Sequence, residues 1–112
     1  MKFNSFALFL LSLAWFVPHI VQADVPEYSI VIENHQFTPA ELEIPKETKV
    51  KLVIENRDST PEEFESYELN REKIVGAKSK IMLFVGPLDP GEYAFFGEFN
   101  PKTAQGKLIV KE

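Results

Sequence analysis

Three carboxylates crowd into four residues at Glu62-Glu63-Phe64-Glu65, the densest chemistry in this 112-residue chain. In a strand, alternation sends Glu63 and Glu65 to one face and Glu62 with Phe64 to the other, so two acids converge without a bulge. Carboxylate oxygens joined by one imidazole make a hard site, of the kind that suits iron or Cu(II). A simpler use of the same acids is a solvated edge that discourages strand-to-strand aggregation. His35 is the one imidazole beyond residue 23 that could join them.

Other chemistry is excluded. There is no cysteine, which removes disulfides, thiolate zinc, a Cys nucleophile and the thiolate of a blue copper site. The chain shows no Ser/His/Asp set, no Gly-rich phosphate loop and no His pair for hydrolytic zinc, so any oxidation would belong to a bound metal. With 12 Lys+Arg against 17 Asp+Glu and a net charge of −5, the chain lacks the basic footprint of a nucleic-acid binder. A hydrophobic share of 45% is too high for a disordered tail.

The elements that must position these acids follow a period of two. Tyr28, Ile30 and Ile32 alternate with polar or exposed positions, as do Leu42 and Ile44, then Val50, Leu52 and Ile54. Further extended segments are expected at 63–67, 72–75, 79–85, 92–96 and 107–110. Pro45-Lys46-Glu47 and Pro87-Leu88-Asp89-Pro90-Gly91 cannot continue a central strand and read as turns. About eight short strands suit an all-β fold, a two-sheet sandwich. The Glu-rich stretch 61–73 also admits a short helical turn. His35 follows the first strand, in a loop expected at the ligand end of such a sandwich, so a turn residue or an added imidazole both fit. Met82, inside an expected strand, reads as packing.

The amino-terminal segment stands apart, with Lys2 ahead of an apolar run from Phe6 to Val17 and then Val21-Gln22-Ala23. That is a signal-peptide profile, with cleavage expected before Asp24. The run falls short of the roughly 20 apolar residues of a spanning helix, and no cysteine exists for lipoprotein acylation. Residues 1–23 are therefore expected to be removed, leaving a periplasmic domain, 24–112, without a transmembrane segment.

Phe37-Thr38-Pro39-Ala40-Glu41-Leu42 followed by Val50 to Asp58 resembles the first half of a cupredoxin domain. Pro90-Gly91-Glu92-Tyr93-Ala94-Phe95-Phe96 resembles the strand leading into that family's copper-ligand loop, and Gly106-Lys107-Leu108-Ile109-Val110 the closing strand. The resemblance spans nearly all of 24–112 and implies a Greek-key β-sandwich. The family's Cys would stand at Gly97 and its first His near Glu62 to Glu65, and the loop after Gly97 has neither His nor Met.

Thr60 to Ser66, Leu69 to Lys73 and Phe95 to Pro101 look closer to the cysteine-free periplasmic cupredoxins of bacterial Ftr- and Efe-type iron-uptake systems. That likeness implies a non-blue copper or iron site built on Glu63 and Glu65, with Glu98 as the matching loop acid. It implies ferrous-iron oxidation or delivery to a membrane ferric permease or periplasmic iron-binding protein. Asn100, where relatives carry His, argues for weaker metal affinity. The alternative is a scaffold or interaction module of the same fold that has lost metal.

Overall fold

The computed structural model describes residues 24–112, so the expected signal segment 1–23 lies outside the described residues. Nine strands run in order: β1 (Glu27–Glu33), β2 (Gln36–Thr38), β3 (Glu41–Ile44), β4 (Val50–Asn56), β5 (Glu62–Ser66), β6 (Arg71–Val75), β7 (Lys80–Val85), β8 (Gly91–Gly97) and β9 (Gln105–Val110). The expected strands are all present, and β2 is added to them. It is three residues long with only Phe37 buried, too short to show a period. Among the described residues no helix is long and apolar enough to cross a membrane.

The strands form two sheets, β2-β1-β4-β7 and β3-β9-β8-β5-β6. The β1–β4 and β3–β9 pairs are parallel, so the chain must pass repeatedly from one sheet to the other. Inward residues of both sheets meet in one core, in the manner of a sandwich. Alternation is cleanest in β4, where Val50, Leu52, Ile54 and Asn56 are buried and the residues between them are half-exposed.

Three rings anchor the core beneath the acidic strand. Phe95 lies 5.0 Å from Phe37, edge on, and 5.1 Å from Phe64; Phe37 and Phe64 are 6.1 Å apart. Each is buried, and burying such a side chain contributes about 1.5–3 kcal/mol before conformational entropy is charged. The stretch 61–73, where a helical turn was admissible, is a hairpin instead. Its two strands pair from Glu62↔Val75 to Ser66↔Arg71, and Leu69 drops into the core from the turn. Ser66 fixes that turn, its hydroxyl donating to the Ala94 carbonyl at 2.7 Å and accepting the Leu69 N–H at 3.1 Å. Met82 packs on the outer face of β7, exposed rather than in the core.

Two polar residues shape the loops around the site. Buried Asn56 donates to the carbonyls of Thr60 (2.9 Å) and Val75 (3.2 Å) and accepts the Asp58 N–H (3.0 Å), fixing the approach to β5. Asp58 in turn accepts the N–H groups of Asn34 (2.8 Å) and His35 (3.0 Å). Both residues have positive φ, 53° and 58°, in a two-residue connection between paired Glu33 and Gln36. A tight hairpin of this kind needs left-handed backbone at both central positions.

Candidate metal centre

Strand alternation places the acids of β5 as expected. Glu62 and Phe64 are buried, while Glu63 and Glu65 face outward, half-exposed. Register then adds an acid that sequence reading missed, because Glu72 on β6 stands directly opposite Glu65. Glu63, Glu65 and Glu72 each bring one carboxylate oxygen within 4.8 Å of the other two.

Crowding like charges raises the free energy of ionising all of them. A hydrogen shared with Glu72, reinforced by partial withdrawal from water and by the charges of Glu72, Glu65 and Glu98, pushes Glu63 up to about 7. Glu65 is raised by partial withdrawal from water and by its hydrogen bond to Glu98. The Tyr67 phenol beside them is raised chiefly by the Glu65 charge. Its ring, 76% exposed, leans on Phe96 at 5.4 Å. None of these carboxylates takes part in an ion pair with Lys or Arg among the described residues. The cluster thus presents hard oxygen donors whose mutual repulsion a cation would relieve.

Glu98 follows β8, and its backbone N–H donates to the Glu63 carbonyl at 2.9 Å. That bond joins the start of the loop to β5, and the Glu98 carboxyl lies near enough to Glu65 to raise it, so Glu98 flanks the trio. His35 does not join it. Its imidazole Nδ1 lies 3.6 Å from Asp58 in the β1–β2 turn, which makes it the turn residue rather than the added ligand.

The inward acid behaves differently. Glu62 is 1% exposed, and its Oε1 accepts the N–H groups of Glu63 (3.0 Å) and Phe99 (2.9 Å). Its Oε2 accepts the Asn100 side-chain N–H at 2.8 Å. A carboxylate offers about four acceptor sites, so three are already used. Gly97 makes room for it: a Cβ there would lie 2.5 Å from Glu62 Cδ and 2.7 Å from the Ala104 methyl.

Comparison with known proteins agrees with this architecture. The model of the cupredoxin-like domain family matches residues 6–110. The chain belongs to that family. This cupredoxin-like domain is 45% identical over 95 residues to an uncharacterized protein of Rickettsia prowazekii, covering 85% of this chain and 76% of the relative. Its fold is similar to the metal-binding domain of the Cu(I)-exporting P-type ATPase CopA of Streptococcus pneumoniae D39, with TM-score 0.71 and 16% identity. That match covers 82% of this chain and 91% of the other. Auracyanin A, a "blue" copper protein of Chloroflexus aurantiacus, matches with TM-score 0.68 and 11% identity over 79% of this chain and all of its own. At those identities the likeness is one of fold.

Copper of the blue type does not fit the interior of this cupredoxin-like domain. The chain has no cysteine, and Gly97, where the sequence resemblance would place one, has no side chain. Asn100 turns its N–H, not a lone pair, toward Glu62, and the Glu62 oxygens are engaged. The outer oxygen set of Glu63, Glu65 and Glu72 does fit a hard cation.

Proposed function

We propose that this is an exported, metal-binding cupredoxin-like protein that holds Cu(II) or iron on the outer face of β5 and β6. Glu63, Glu65 and Glu72 would supply the ligands, with Glu98 beside them. The ion, when bound, would supply electron-transfer or Lewis-acid chemistry that no side chain of this chain provides. Three converging oxygens, with Glu63 held up to about 7 in the absence of a cation, are the observation that carries the reading. Extending it, the protein serves ferrous-iron oxidation or delivery to a ferric permease or periplasmic iron-binding protein. The signal-like segment 1–23 and the resemblance to iron-uptake cupredoxins support that extension.

Calorimetric titration with Cu(II), Fe(II) and Fe(III) tests it. Binding without an intense blue band is expected, and it should be lost in Glu63→Gln/Glu65→Gln, which removes charge with little change of shape. The thermal midpoint of the metal-free variant should not fall. Equal binding by variant and parent would mean that the acids are only a solvated edge. The engaged Glu62–Asn100 pair favours a second reading, an interaction module that has lost metal, and absence of binding in the parent would select it.

A further inference from the structure

Glu62 and the Gly97–Ala104 loop form a unit that the outer acids do not explain. The loop is internally closed by Gly97 N–H to the Ala104 carbonyl (2.9 Å) and by Ala104 N–H to the Asn100 carbonyl (2.9 Å). It is fastened to β5 by Glu98 N–H to the Glu63 carbonyl, and by the Phe99 N–H and Asn100 amide, both held by Glu62. A single carboxylate therefore holds two donors from adjacent residues of one loop, 37 and 38 residues away in sequence. No buried side-chain nitrogen or oxygen among the described residues is left without a partner, so the cluster is complete as it stands. A carboxylate withdrawn from solvent that accepts several N–H groups of one loop forms strong, charge-assisted bonds.

We infer that Glu62 does for this loop what a bound ion does at a metal centre: it holds the Gly97–Ala104 loop shut on β5 and thereby sets Glu98 against Glu65. Glu62 is then a positioning residue for the outer acids and not a ligand. The loop's order is independent of metal. The ordering of the loop stands by itself, while the influence on metal affinity rests on the reading of the outer face given above.

Amide hydrogen exchange of the metal-free protein as purified tests the first half, with Glu62→Ala and Glu62→Gln compared with the parent. Loss of a charge-assisted bond should speed exchange of the Phe99 amide in Glu62→Ala by roughly 10- to 100-fold, with Leu108 on β9 unchanged as an internal control. Glu62→Gln should lie between, since Asn100 can turn its oxygen toward the new amide. Cu(II) titration tests the second half. Glu62→Ala should weaken binding, and Glu62→Ala/Glu98→Gln should be no weaker than Glu98→Gln alone, because the effect of Glu62 passes through Glu98. An unchanged Phe99 rate in Glu62→Ala would overturn the loop assignment, and additive losses would overturn the positioning of Glu98. A parent that binds no Cu(II) would refute the outer-face reading, with the exchange rates still deciding the role of Glu62.

Discussion

Phe64→Ala probes fold and site together, because the ring must point inward for Glu63 and Glu65 to point out. The side chain has no exposure to solvent and lies against Phe37 and Phe95, at 6.1 and 5.1 Å between ring centres. Truncating a buried Phe costs about 3–5 kcal/mol, within which the two ring contacts account for about 0.5–1.5 kcal/mol each. Nearby β5 backbone cannot collapse into the space easily, since the buried side chains of Glu62 and Ser66 on either side are held by hydrogen bonds. A loss near 4 kcal/mol is therefore expected. In a domain of this size that lowers the melting midpoint by roughly 15–30 °C and removes much of a total stability of order 5–10 kcal/mol. Urea unfolding followed by circular dichroism reads it directly as a lower midpoint at unchanged slope. Phe64→Leu should retain most of the burial and lose less. A cost below about 1 kcal/mol for Phe64→Ala, the range of ordinary surface changes, would place the ring outside. The outward-facing acids would fall with it.

Raised ionisation of Glu63 gives the metal-free protein a pH-dependent stability whose sign follows from proton binding. The native state holds a proton on Glu63 up to about 7, against an ordinary 4.5, so that contribution is fully present below about 4.5 and is lost as pH rises through 7. Thermal scans should show a falling midpoint across that window, flattened in Glu63→Gln. Cu(II) affinity should rise over the same window as protons cease to compete. Asp58 acts in the opposite sense. The His35 backbone N–H, foremost, holds its carboxyl below the ordinary 3.8, so its contribution is present above about 3.8 and lost as pH falls through the lowered value. Acid unfolding of Asp58→Asn should consequently be less steep than that of the parent. Intact-mass measurement of the exported protein should give a chain beginning at Asp24, and a membrane-bound species retaining Met1 would show an anchor instead.

Strand positions were legible because alternation is a local property, written wherever one face of a sheet is buried. The pair Glu63 and Glu65 was legible for the same reason. Glu72 was not, since its place beside them depends on the register of the β5–β6 hairpin, which the four residues Tyr67 to Asn70 fix through a turn with Asn70 at φ 53°. Glu62 was hidden differently. A buried acid carries the same letter as a solvated one, and its partners lie across a long loop closure. His35 carried a readable signal: Asp58, oriented by Asn56 at the end of a strand, supplies both acceptors for the neighbouring hairpin, and the histidine is held there by its backbone.

The tight fit of Glu62 against Gly97 constrains which substitutions this loop tolerates. Any side chain at position 97, a sulfur ligand included, collides with the Glu62 carboxylate and the Ala104 methyl. Placing a ligand there therefore requires that both Glu62 and Ala104 give way, and shortening Glu62 alone unfastens the loop without clearing the Ala104 methyl. The glutamate makes replacement of the glycine costly and the loop's hydrogen bonds make replacement of the glutamate costly, so the two positions are coupled. A thiolate at position 97 cannot come from that one substitution without displacing Glu62 and the Ala104 methyl.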